Sequence, residues 1–526
     1  MRRAIGLALA IVLVDAAPVR TQTLATDDAV LRAIWREAME ASQLEPMAQA
    51  LLDSIGPRLT GSPGLADAQS WARGLLEDWG VASQLEQYGT WEGWDRGVTH
   101  IDLVEPRTRS LEGRMLAWSP GTEGQGVEGG VTYLPEIDTA EDWDSFLRTV
   151  RGSWVMLSFP QPTCRPNEQW AEYQVNGSAQ RMSEARRLAS NRWNQSLTVA
   201  RSRSGSLVAI HAALENAGAA GIITSEWTGA PGTNQVHNAY NRRTPTFELS
   251  CEDYGLVYRL AANVQNPAVR LTAEARSLGE VPVFNVIGEI RGAELPNEFV
   301  MLSAHLDSWD SSSGATDNGT GTVLMLEAMR VLRAAYPLPR RTILLGLWSG
   351  EEQGLNGSQA FSEDHPEVVA GLQALWNADS GTGRIANISA LGLVNAGGSL
   401  ARWLSRVPRE VSQHVSLELP GTPGSGSDYA SFLCYGAPSF NLGSLAESNW
   451  DYGDSTWHTN RDTFDKVVFD EVRNNVALTA SLAYLASEDP EFTNRDRREV
   501  MTTNRGAPRP WPSCGAAARS SPNAPR

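Results

Sequence analysis

The chain has 526 residues, 41% hydrophobic and 20% charged, with a net charge of −17. That length leaves room for two or three domains, the composition is that of a folded protein, and an acidic surface without a dense basic run argues against nucleic acid as a partner. The single lysine, Lys466, lies in Asp-Lys-Val and not in a Gly-Lys-Ser/Thr loop, so a Walker-type phosphate site is excluded and lysine-based covalent chemistry has one residue to rest on.

The arginine bias points to a GC-rich bacterial genome. Met1-Arg2-Arg3 precedes the apolar run Ala4 to Val14 and the small residues Ala16 and Ala17. This is the pattern of a secretory signal peptide, assigned to residues 1–24, and the run is too short for a permanent membrane anchor. No later stretch is long and apolar enough to span a bilayer. The expected location is therefore periplasmic or extracellular. In that setting Cys164, Cys251, Cys434 and Cys514 allow one or two disulfides, with three complete pairings open; none has C-x-x-C spacing.

Residues 25–111 open with helical periodicity, Leu31, Ile34, Trp35 and Ala38 sharing a face, and a second helix is expected over Ala66 to Trp79. Between them Ile55 to Gly64 is a Gly/Pro-rich loop. Residues 112–278 read as short strands (Trp154 to Phe159, Ala219 to Thr224) among polar loops, with a helix over Ala209 to Ala217 and a solvated helix or loop over Arg181 to Arg203. Residues 279–490 alternate strands (Phe299 to Ala304, Arg341 to Trp348, Leu375 to Asn377) with helices such as Val323 to Ala335. That alternation is the mark of an α/β layer on a largely parallel sheet. Residues 491–526, rich in Arg, Pro, Ser and Ala, are expected to form a flexible tail.

The polar residues that follow those strands are the chemically telling ones. His305 and Asp307 end the first strand, Asp317 sits in a Gly-rich turn before the helix, Glu351 and Glu352 follow the second strand, Asp379 follows the third, and His458 lies in a later loop. In a parallel sheet such positions gather at one rim. Carboxylates crowded in a cleft repel one another, and divalent cations relieve that repulsion. Histidine with carboxylate and no cysteine suits zinc, and two ions need a bridging carboxylate. Asp317 is the natural bridge, with His305 and Asp379 on one ion and Glu352 and His458 on the other. Asp307 is placed to orient the His305 imidazole. Neighbouring side chains diverge, so Glu352 is assigned as ligand and Glu351 as general base.

This stretch, with the Gly-Pro-Arg-Leu-Thr-Gly-Ser loop around Arg58, resembles the M28 family of metallo-exopeptidases. His305-Leu-Asp-Ser-Trp-Asp310 is similar to the carboxypeptidase Q-like branch, and Gly424-Ser-Gly-Ser-Asp428-Tyr429 to the glutamate carboxypeptidase II-like branch. The resemblance implies a three-layer α/β zinc-exopeptidase domain with a mixed, largely parallel sheet, two Zn2+ per chain, the ligand set above and a cis peptide after Asp317. Val208 to Thr224 followed by Pro245 to Ser250 resembles a protease-associated (PA) domain, which implies a β-rich insertion acting as a lid or substrate-shaping wall. Where many family members carry a tyrosine before the last metal-binding histidine, this chain has Trp457. Oxyanion support is then expected from a metal ion and from Tyr429 or Tyr452.

The expected activity is hydrolysis of a peptide or dipeptide at a chain terminus, by an aminopeptidase or dipeptidase, with a carboxypeptidase as the alternative. A metal-free receptor-like protein is the competing class, and the complete ligand set argues against it. The oligomeric state is open, a homodimer among the options. Gly124 to Gly129 fits G-x-G-x-x-G, but a strand pattern follows it, so it is read as a plain turn. The other histidines, His100, His211, His237, His365 and His414, are assigned structural or surface roles.

Overall fold

Fourteen strands form one continuous twisted sheet. The computed structural model describes residues 24–521 apart from 125, 167–169, 311, 445–449, 454, 499–500 and 503–507, so the expected signal peptide lies outside the described residues except for its last position. In chain order the strands are β1 (Ala82–Glu105), β2 (Arg109–Ser110), β3 (Gly113–Met115), β4 (Val127–Tyr133), β5 (Trp154–Met156), β6 (Gly221–Thr224), β7 (Thr246–Leu249) and β8 (Ala268–Ile290). They continue with β9 (Leu295–His305), β10 (Arg341–Trp348), β11 (Leu372–Asn377), β12 (Ile385–Ser389), β13 (Ser416–Glu418) and β14 (Ser439–Ser444).

The order β13-β12-β14-β11-β9-β10-β8 makes one half of the sheet, and β4-β5-β6-β7-β3 extends it on the other side of β8. Strands β10, β9, β11 and β14 run parallel, while β8 meets β10 antiparallel, so the sheet is mixed and largely parallel, as the alternating pattern predicts. All eight residues of β10 and all six of β11 are buried. Successive side chains on a strand point to opposite faces, so burial of every one requires cover on both, and the domain is three-layered. The helices Ala29–Met39, Thr320–Ala335 and Phe469–Glu488 share the main hydrophobic cluster with these strands. The helix Pro63–Asp78 starts where Ser62 Oγ accepts from the Leu65 N–H and Pro63 takes the first helical position, two local start signals in sequence order.

The other half of the sheet carries its own clusters around Trp154, Phe247 and Trp143. The arginine-rich stretch is a helix, Ser178–Ser204, that buries only Ser196, Leu197 and Ala200. That narrow seam explains why sequence periodicity left helix and loop open. The expected strand Trp154 to Phe159 stops at Met156.

Three further findings refine the sequence reading. The boundary placed between residues 278 and 279 falls inside β8, which pairs with β1 from Ala82↔Glu289 to Glu105↔Ala268. The middle of that ribbon is solvated, with Gly279 and Glu280 exposed, which gives a strand the composition of a linker. The four cysteines pair as Cys164–Cys251 and Cys434–Cys514. Finally, the C-terminal stretch expected to be a flexible tail makes specific contacts: Ala518 N–H donates to Asn356 Oδ1, Thr90 N–H donates to the Arg519 carbonyl, and Arg519 pairs with Glu363 and Asp364. Its polar composition satisfies partners on the body of the protein as well as it would satisfy water.

Candidate active site

The three parallel strands deliver their last residues to one rim. His305 ends β9 beside Trp348 at the end of β10, and Asp379 follows β11 by two residues. At the β10 exit Gly350 has φ +73°, a left-handed turn that suits glycine and leads into Glu351 and Glu352. Asp317 lies in the kinked segment Ala315–Gly319 that leads into the helix Thr320–Ala335, and the Asp317–Asn318 peptide is cis.

Donor atoms of two triads converge: those of His305, Asp317 and Asp379 lie within 4.8 Å of one another, as do those of Asp317, Glu352 and His458. Asp317 belongs to both. His305 Nε2 is 3.3 Å from Asp317 Oδ1 and 3.3 Å from Asp379 Oδ1. His458 Nε2 is 3.1 Å from Asp317 Oδ2 and 2.8 Å from Glu352 Oε2. Tetrahedral coordination at about 2.0–2.1 Å puts neighbouring donors about 3.3 Å apart, so these spacings fit zinc. A buried carboxylate oxygen, Glu352 Oε1, has no hydrogen-bond partner, as expected of an atom kept for a cation.

The electrostatics agree with that fit. Burial opposes a charge on His305, but the carboxylates around it, Asp379 and Glu351 foremost, hold its pKa well above the ordinary imidazole value. For His458 burial again opposes, and Glu352 and Asp317 push the value up to about 10. Burial raises Glu352 to about 7, helped by Asp317. Burial likewise lifts Glu351 well above the usual carboxylate range; His305 opposes this, while Asp379, Asp428 and Glu352 add to it. Protons are here doing what cations do in a loaded site.

Asp307 works differently from its expected role. The His305 Nδ1 partner is the Asp307 carbonyl at 3.0 Å, and the carboxylate Oδ1 is 3.7 Å away. The carboxylate instead accepts the N–H groups of Glu351 and Glu352, each at 3.3 Å, and the Thr60 hydroxyl. One residue thus orients the imidazole through its backbone and the Glu-Glu loop through its side chain. Tyr452 and Trp457 line the cleft of about 410 Å³ that also holds Asp317, Glu351, Glu352, Asp379 and His458. Burial raises the Tyr452 pKa, so its O–H stays a donor. Tyr429 is not among the residues lining that cleft, and its hydroxyl lies against Gly424. Trp457 stacks on the His458 ring with centroids 4.1 Å apart.

Sequence reasoning passed over three groups. Asp462 accepts the N–H groups of Thr316 and Asp317, at 2.7 and 3.0 Å, and so fixes the bridge segment. Its signal was a carboxylate four residues after His458. Arg58 is fully buried and donates to the carbonyls of Gly56, Leu306, Ser313 and Gly314, tying the early loop to the site loops. His237, assigned a structural or surface role, has its ring 5.5 Å from that of His458. No sequence signal marks it, because the contact joins segments more than 200 residues apart.

The family model of peptidase family M28 matches residues 285–483. Residues 285–483 are therefore an M28 peptidase region. The whole chain is 27% identical over 448 residues to mouse carboxypeptidase Q, covering 85% of this chain and 86% of the relative. Among solved structures, an M28 peptidase precursor from Shewanella amazonensis superposes with a TM-score of 0.63 at 22% identity, covering 88% of this chain and 97% of that one. A zinc aminopeptidase from Bacillus subtilis gives 0.54 at 18% identity, covering 86% and 96%. At those identities the structures speak for the fold alone. The chain is accordingly a metallo-exopeptidase by family, a hydrolase of peptide bonds.

Proposed function

We propose that the chain is a zinc-dependent aminopeptidase or dipeptidase with a two-metal centre. The observation that carries this is the pair of donor triads sharing Asp317. His305 and Asp379 would hold one ion, Glu352 and His458 the other, with Asp317 common to both. Bound zinc supplies an acidified water and a Lewis acid for the carbonyl. Glu351, free of both triads and lining the cleft, takes the proton of the attacking water and returns it to the leaving nitrogen. The Tyr452 hydroxyl donates to the oxyanion as it forms.

The terminus follows from charge. Among the described residues lining the cleft none is Arg or Lys, while four are carboxylates. Three of the four would hold the proposed ions and the fourth is the base, so what separates the two termini is that the wall offers no guanidinium to an α-carboxylate. The carboxypeptidase alternative keeps its support in the likeness to carboxypeptidase Q along most of both chains. Residues 112–278 reach the site through one loop beside the cleft, in keeping with a PA-like insertion. The loop Gly232 to His237 is zipped to the His458 loop, Val236 N–H donating to the His458 carbonyl at 2.8 Å. Two disulfides fit export to an oxidising compartment.

The test is a panel of free, N-blocked and C-amidated dipeptides, with and without chelator, beside metal content by mass spectrometry. Zinc near two per chain, chelator-sensitive cleavage of free and C-amidated peptides and no cleavage of N-blocked ones are expected. Cleavage of N-blocked peptides would move the reading to the carboxypeptidase, and a metal-free, inactive protein would sink both.

A further inference from the structure

The loop that carries Glu351 and Glu352 closes on its own backbone. The N–H groups of Gly354 and Leu355 both donate to the Glu351 carbonyl, at 2.7 and 2.9 Å, and the Asn356 N–H donates to the Gly350 carbonyl at 3.0 Å. Glu352 has a further hold at its far end, where Oε2 lies 2.8 Å from His458 Nε2. Glu351 belongs to neither donor triad. Its aim therefore rests on its backbone, held by the Asp307 carboxylate on one side and by this turn on the other.

Asn356 is the outer post of the turn. It is 2% exposed and opens the helix Asn356–Asp364. Its Nδ2–H donates to the Gln353 carbonyl at 3.3 Å, and its Oδ1 accepts the Ala518 N–H at 3.1 Å. A buried carboxamide bridging in this way ties the middle of the turn to a segment 162 residues away in sequence.

That segment is a strap fastened on both sides of Ala518. Its run Gly515-Ala-Ala-Ala518 has side chains small enough to bring the backbone within hydrogen-bond reach of the body. A Cβ on Gly515 would meet Gln359 Nε2 at 3.2 Å, and a Cβ on Gly89 of β1 would sit 2.2 Å from the Arg519 carbonyl. Before Ala518, Cys514 is bonded to Cys434 and the Ala517 N–H donates to Glu363 Oε1 at 2.9 Å. After it, the Arg519 guanidinium takes both Asp364 oxygens at 2.8 Å and Glu363 Oε2 at 3.1 Å, while its carbonyl accepts the Thr90 N–H at 2.9 Å. Such a two-pronged guanidinium–carboxylate contact fixes direction as well as distance. Arg519 also donates to the Tyr88 carbonyl at 3.3 Å, and the Tyr88 hydroxyl stands against the start of the turn, where a Cβ on Gly350 would be 2.6 Å from it.

We infer that the C-terminal strap is a brace for the general base: the Ala518 N–H fixes Asn356, Asn356 fixes the Gln353 carbonyl, and the turn so held keeps the Glu351 carboxylate aimed into the cleft. Asn356 and Arg519 are positioning residues, since neither lines the cleft. This rests on the reading of Glu351 as base. A reacting group displaced by about 1 Å costs up to about 10²-fold in rate, and an interaction needed only in the transition state is lost from kcat and not from KM.

The experiment measures kcat and KM for a free dipeptide on the full chain at saturating zinc. The proteins are the wild type, Asn356→Ala, Arg519→Ala, Glu351→Gln and the two doubles that combine Glu351→Gln with each strap variant. Asn356→Ala is expected to lower kcat about 10–100-fold and Arg519→Ala about threefold or more, with KM within about twofold of wild type. In the Glu351→Gln background neither change lowers kcat by more than about twofold, because a base already removed cannot be misaimed. A strap that merely supports folding removes active enzyme whatever stands at position 351, so its loss is the same in both backgrounds. Equal losses in the two backgrounds, or wild-type kcat in both Asn356→Ala and Arg519→Ala, overturn the brace and leave the peptidase. Should Asn356→Ala fail to fold, the cycle with Arg519→Ala at the surface decides by the same comparison. If Glu351→Gln turns over as fast as the wild type, the assignment of the base falls, and the brace falls with it.

Discussion

Glu351 and Glu352 are adjacent in sequence and differently placed. Glu352 Oε2 lies 2.8 Å from His458 Nε2, inside a donor triad, while Glu351 lines the cleft and belongs to neither triad. The division is set by Asp307, whose two carboxylate oxygens take the two backbone N–H groups and fix the direction in which each side chain leaves. Glu351→Gln keeps the shape and every metal-facing atom but cannot accept a proton. Turnover is expected to fall by about 10²–10⁴-fold, the usual weight of a general base, with metal content unchanged. Mass spectrometry and steady-state kinetics on the same preparation check this. Full activity in the variant would take the role away from Glu351, and loss of zinc would make Glu351 a ligand.

At the scale of elements, the site is an assembly of loops whose strands were legible and whose braces were not. β10 was readable to the residue because a continuous apolar run ends in Trp-Ser-Gly-Glu-Glu, whereas of β9 only Phe299 to Ala304 was read, because Pro296, Asn297 and Glu298 break the apolar pattern at its start. The candidate ligands His305, Glu352 and Asp379 were read from strand ends, and Asp317 and His458 from loops. The braces, Asp462 and Arg58, left no periodic trace, since each acts on backbone groups far away in sequence. The long ribbon of β1 and β8 was missed for a related reason: its partners are nearly 200 residues apart, and its solvated middle has no alternating pattern. Asp462 offers the sharpest test of a brace. It holds the Thr316 and Asp317 N–H groups from a loop four residues beyond His458, so it couples the bridge segment to the loop of another proposed ligand. Asp462→Ala is expected to weaken zinc binding by about 10–100-fold, the range for lost outer partners of metal ligands. Saturating zinc should restore much of the turnover. A variant with wild-type zinc affinity would show that the segment holds its shape unaided.

Across the whole molecule, β1 and β8 run through both halves of the sheet, so stress in one half is carried by continuous backbone into the other. His211 places an acid-sensitive group in the half away from the proposed metals. It is 5% exposed, its Nδ1 is 3.1 Å from Asn241 Oδ1, and its ring meets Tyr240 edge-on. Burial lowers its pKa to about 4, while the Asn241 contact and nearby Glu215 pull weakly the other way. The unfolded chain, with an ordinary imidazole near 6.5, therefore binds more protons than the folded chain at intermediate pH. Stability is complete above about 6.5 and falls as pH drops toward 4, by up to about 3 kcal/mol from this group. His211→Gln removes the titration while keeping an amide that can reach Asn241. Its melting temperature should change less than that of the wild type between pH 7 and pH 5, when both are measured with chelator present so that metal loss does not contribute. Equal slopes in the two proteins would show that His211 is not the acid-sensitive group, and a steeper slope in the variant would mean that the folded chain holds the His211 proton more tightly than the unfolded one.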